Sequence, residues 1–89
     1  MFATSADWSF DSIAENFYDK QNEYILEFKA LGAVNFFYVQ TSPTTARSMM
    51  VWPDKETAHA ALVRVREGVA AENGSVIVSV CEGDILASF

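Results

Sequence analysis

The sequence predicts an α+β domain: one antiparallel sheet with two helices laid against one of its faces. Three observations carry that expectation. Apolar residues recur at spacings of three and four from Phe10 to Leu31, and again from Ala58 to Val69, which is the period of a helix. Residues 34–39, 46–52 and 76–81 are short runs, rich in aromatic and β-branched side chains, of strand length. The first two of these runs are separated by Thr41-Ser42-Pro43-Thr44-Thr45, a connection that suits an antiparallel hairpin.

Residues 2–8 alternate weakly, with Phe2, Thr4, Ala6 and Trp8 on one side, so a short first strand is expected there. It reads as the weakest strand of the chain. Helical periodicity follows. Phe10, Ala14, Phe17, Gln21, Tyr24, Phe28 and Leu31 form one stripe, flanked by Ile13, Tyr18 and Ile25. Ser12 with Glu15 three residues on reads as a capping box, with Ser9 as the other available cap. Gly32 is the natural stop, because glycine accepts the left-handed conformation that ends a helix. The expected helix has about 20 residues, or ~30 Å.

The run Val34-Asn35-Phe36-Phe37-Tyr38-Val39 is the most telling strand. Alternation puts Val34, Phe36 and Tyr38 on one face and Phe37 and Val39 on the other, so both faces are apolar. A sheet with one wet face should instead alternate apolar with polar. Both faces need a cover, and 89 residues are few to supply two. A homodimer through the sheet face is therefore expected. The next strand places Ser48 and Met50 on one face, Met49 and Val51 on the other.

Pro53-Asp54 opens a second helix with Asp54 as N-cap, and Ala58, Ala61, Leu62, Val65 and Val69 make its apolar stripe. Asn73-Gly74 ends it. A strand at 76–81 follows, then a turn at Glu82-Gly83-Asp84 and a last short apolar piece, 85–89. The resulting order, βαββαβ with a further short piece, gives a ferredoxin-like layer as a single domain spanning residues 1–89.

Composition bounds the function. Twelve acids against six bases give a net charge of −6, and Lys20, Lys29, Arg47, Lys55, Arg64 and Arg66 are scattered. Such a surface repels phosphate backbones and anionic membranes, so neither nucleic acid nor membrane is an expected partner. Hydrophobic residues make up 51% and aromatics 13%, which fits a chain that buries extra area against a partner. Cys81 is the single cysteine, so no disulfide within the chain is possible and a reducing compartment is the simpler setting. No basic start with an apolar run and no stretch of about 18 apolar residues is present, so a cytoplasmic location is expected.

The chain resembles the dimeric α+β barrel superfamily, in which two such sheets pack face to face. The resemblance rests on Gly32-Ala33-Val34-Asn35-Phe36-Phe37 after a long helix. It rests also on Met50-Val51-Trp52-Pro53-Asp54-Lys55-Glu56-Thr57-Ala58 leading into an alanine-rich helix. It departs from the pattern at residues 2–8, since the first strand of that fold is central. The superfamily includes cofactor-free monooxygenases of aromatic or quinol-like substrates, of the antibiotic-biosynthesis type, as well as haem-degrading enzymes, small isomerases and members without a known activity. Trp52 followed by His59 is similar to the tryptophan and histidine of the haem-degrading members. Those also carry an asparagine on the first strand, and residues 1–8 have none, so no cofactor is expected.

Two functions follow as expectations. One is a small homodimer that binds an apolar small molecule between sheet and helices. The other is a cofactor-free monooxygenase-like enzyme. His59 and Tyr38 are its candidate catalytic residues, His59 because an imidazole titrates near neutrality. Asn35, Trp52 and Arg47 are candidate ligand-binding residues. Each also has a plainer reading, as a helix-flank histidine or as strand residues anchoring an interface. The acidic ridge Asp11, Glu15, Asp19, Glu23 and Glu27 reads as the solvated face of the first helix. One His and one Cys leave no metal-ligand set, no Gly-x-Ser-x-Gly elbow accompanies the histidine, and Cys81 in an apolar strand reads as a buried, inert thiol.

Overall fold

A computed structural model describes residues 1–13, 15–68 and 74–89. The expected stripe members Ala14 and Val69, and the helix-ending Asn73, lie outside the described residues. The elements are β1 (Phe2–Ser9), α1 (Phe17–Ala30), β2 (Asn35–Ser42), β3 (Thr45–Trp52), α2 (Lys55–Val63) continued by one π-helical turn (Arg64–Gly68), and β4 (Val76–Asp84). The strands lie in the order β2-β3-β1-β4, each antiparallel to its neighbours. This α+β arrangement is compatible with a ferredoxin-like fold. Among the described residues no helix is long and apolar enough to cross a membrane.

The first strand corrects its weak sequence signal. It is central, with β3 on one side and β4 on the other. Phe2, Thr4, Ala6 and Trp8 are all buried beneath the helices, beside Ala46, Ser48, Met50 and Trp52 of β3. Thr4 and Ser48 weaken the apolar pattern for a physical reason. Trp52 Nε1 donates to Thr4 Oγ1 at 3.0 Å, and Trp8 Nε1 donates to Ser48 Oγ at 2.9 Å. Each buried hydroxyl satisfies an indole N–H that would otherwise be stranded away from water.

The first helix is shorter than its periodicity suggests. It has 14 residues, starts after Asn16, and takes no side-chain cap, so the Ser12–Glu15 capping box does not form. Phe10 lies before the helix, where its N–H donates to the Thr44 carbonyl at 3.0 Å, at the β2–β3 turn, and so continues the course of β1. Gly32 ends the helix as expected, at φ 107°. At the start of α2 the expected cap is present: Asp54 Oδ1 accepts from the Thr57 N–H at 2.7 Å.

Glu82-Gly83-Asp84 is strand rather than turn. These residues pair with Thr4, Ala3 and Phe2, so β4 runs on as far as β1 gives it a partner. Ile85 then donates its N–H to the Met1 carbonyl at 2.9 Å, and residues 85–89 form no further strand.

Both helices cover the same face, at different heights. Ala58 and Ala61 bring α2 close to β1 and β3. The first helix instead rests on the large rings of Tyr24 and Phe28, which hold its backbone further from the sheet. The two helices are tied together by Arg64, whose Nε and Nη2 donate to Glu27 Oε1 and Oε2 at 2.6 and 2.9 Å. Glu27 thus departs from the solvated ridge, whereas Asp11, Glu15, Asp19 and Glu23 are exposed as expected.

Candidate ligand cleft and uncovered sheet face

The stand-off of α1 leaves a cleft between that helix and the sheet. Its inner chamber, about 20 Å³, is walled by Trp8, Phe28, Phe36, Ser48 and Met50. That is room for about one water molecule. Its outer chamber, about 50 Å³, is walled by Phe10, Ile13, Phe17 and Lys20. Gln21 and Tyr38 line both chambers and stand at their junction.

The cleft is aromatic along its length. Ring centroids run from Phe17 to Tyr38 at 6.0 Å, to Phe36 at 6.4 Å, to Phe28 at 5.1 Å and to Tyr24 at 5.9 Å. Burial pushes the Tyr38 hydroxyl above its usual pKa of 10.0, so it stays protonated and able to donate. Because the rings already touch one another, the arrangement presents an aromatic wall, with a hydroxyl, an amide and an ammonium beside it.

The five residues singled out from the sequence do not converge here. Tyr38 alone lines the cleft. Trp52 has no exposed surface and is part of the core, its indole spent on Thr4. His59 stands on the exposed flank of α2, where its Nε2 lies 2.9 Å from Glu82 Oε2 on β4 and its ring meets Phe2 edge-on at 5.9 Å. Asn35 and Arg47 face away from the helices. Asn35 Oδ1 accepts the Phe36 N–H at 2.9 Å, and Arg47 Nε donates to Asp7 Oδ1 at 2.8 Å.

Three cleft residues carry signals that sequence reasoning passed over. Gln21 is a polar residue inside an apolar helical stripe, Lys20 is its neighbour, and Trp8 belongs to the weakly alternating first strand.

The face turned away from the helices has no cover within the described chain. Across it run the rows Asn35–Val51–Ala3–Gly83, Phe37–Met49–Ser5–Cys81 and Val39–Arg47–Asp7–Ser79. Phe37 is 53% exposed, Met49 43% and Val39 56%, and Cys81, expected to be buried, is exposed here because nothing in the described chain covers this face. Asp7 and Arg47 are the charged residues among these positions, and they pair with each other, with Ser79 Oγ donating to Asp7 Oδ2 at 2.7 Å. The hydrogen bond from Arg47, then that from Ser79, holds the Asp7 carboxyl below its usual 3.8.

No protein-family model matches the chain, and no curated protein matches it.

Proposed function

We propose that the chain is a homodimeric binding protein, two ferredoxin-like layers packed through their uncovered sheet faces, with each protomer offering its helix–sheet cleft to a small apolar molecule. The observation that carries the dimer is the charge of the uncovered face. In a chain of net charge −6, the described residues of this face carry one acid and one base, already paired. A second copy meets a neutral surface there and a repulsive one elsewhere. Phe37, Val39, Met49 and Val51 supply the apolar area. A patch of four strands by eight residues covers about 500 Å², or about 1,000 Å² for the pair, which reaches the lower range of stable interfaces.

The cleft supports binding rather than chemistry. Of the two candidate catalytic residues, Tyr38 lines it, whereas His59 is engaged with Glu82 on the far side of α2. Light scattering on a sizing column across a dilution series tests the assembly. A stable mass of twice 9.9 kDa is expected, and a mass of 9.9 kDa at every concentration overturns it.

A further inference from the structure

The uncovered face of the sheet is stepped. Its β2 and β3 half carries the larger side chains, Asn35, Phe37 and Val39 beside Val51, Met49 and Arg47. Its β1 and β4 half carries the smaller ones, Ala3, Ser5 and Asp7 beside Gly83, Cys81 and Ser79. The step runs along the middle of the sheet, between β3 and β1, and the paired charges of Arg47 and Asp7 straddle it.

We infer that two copies of the chain pack these faces about a twofold axis parallel to the strands, along the boundary between β3 and β1. The inference rests on the face-to-face dimer proposed above and fixes its geometry. Interface cores are packed as densely as protein interiors, so a face that meets its own copy must set its raised half on the partner's recessed half. A half-turn about this axis does so. It exchanges the place of β2 with that of β4, and of β3 with that of β1, at unchanged height along the strands. Phe37 then meets the partner's Cys81, Met49 the partner's Ser5, and Val39 the partner's Ser79, large on small each time. Arg47 meets the partner's Asp7 and Asp7 the partner's Arg47, so four charges of alternating sign close into a ring. A half-turn about an axis across the strands, through the row from Phe37 to Cys81, keeps each strand over its own copy. Phe37 and Met49 then collide with the partner's Phe37 and Met49. The charged pair lies against the partner's Ala3 and Val51, where burial costs more than it returns.

A spin-label distance separates the two axes, using the full chain with Cys81→Ser and Thr44→Cys. Thr44 is exposed, at the turn between β2 and β3. The axis along the strands brings the two turns to the same end of the dimer, about 15 Å apart for sheets packed about 10 Å face to face. An axis across the strands sends them to opposite ends, about 30 Å apart, because strands of eight residues span about 27 Å. A distance near 15 Å is expected. One near 30 Å overturns the axis and leaves the face dimer standing. No distance between labels, together with a mass of 9.9 kDa, overturns the dimer and its geometry together.

Discussion

Trp52 is fully buried, and its indole nitrogen sits 3.0 Å from the Thr4 hydroxyl on the neighbouring strand. The Trp8–Ser48 pair repeats the relationship in the opposite sense, from β1 to β3. Two large rings are thereby fixed diagonally across the central strand pair, and the floor of the cleft is set by one of them.

Replacing Thr4 by valine keeps the shape and removes the acceptor. The buried indole N–H then has no partner, at a cost of about 1–3 kcal/mol. The melting temperature should fall by about 4–8 °C for each kcal/mol in a chain of this size. Thermal unfolding followed by near-ultraviolet circular dichroism checks it. An unchanged midpoint would mean that the hydroxyl carries no such burden.

Gly32 is constrained twice. Its φ of 107° is one that side-chain-bearing residues rarely adopt, and a Cβ there would lie 2.8 Å from Thr57 Cγ2. Gly32→Ala should destabilise by more than about 1 kcal/mol. Adding Thr57→Ser removes the opposing methyl and should recover part of the loss, leaving the backbone strain. Urea unfolding of the single and double variants separates the two contributions.

Asp54 gives the second helix a pH dependence. Hydrogen bonding from the Thr57 N–H holds its carboxyl below the usual 3.8. A depressed carboxyl stabilises the fold fully above its unfolded pKa, and that stability is lost as pH falls through the lower, folded value. Asp54→Asn keeps a cap but cannot titrate. The variant should melt a few degrees below the unaltered protein at neutral pH, and the gap should close as pH falls below about 4. A gap that stays constant with pH would assign the effect to packing.

Some local signals in the sequence were sound, although the Ser12–Glu15 capping box and the early helix start were not. The Asp54 cap, the Gly32 stop and the hairpin around Pro43 are decided by neighbours a few residues apart, and each is present. Long-range pairing was not legible. Glu82-Gly83-Asp84 looks like a turn until Thr4, Ala3 and Phe2 offer it hydrogen bonds from the other end of the chain. The first strand looked weak because Thr4 occupies a core position whose meaning lies in Trp52, 48 residues away. In the site, strand alternation sets Asn35 opposite Tyr38 and groups Arg47 with Met49, yet the sequence reading gathered all of these around one cavity between sheet and helices. The size and lining of the cleft were not legible, because they come from the difference between rings under α1 and alanines under α2.

The most direct test of the proposed dimer uses the paired charges of the uncovered face. Asp7→Arg leaves two positive charges there, and Arg47→Asp leaves two negative ones. Because the Asp7–Arg47 pair is exposed, its loss should cost the fold little. Light scattering of each variant alone should give 9.9 kDa, and an equimolar mixture should give twice that mass, since the altered faces now attract. Either variant remaining dimeric by itself, or a mixture that stays monomeric, would contradict packing through this face.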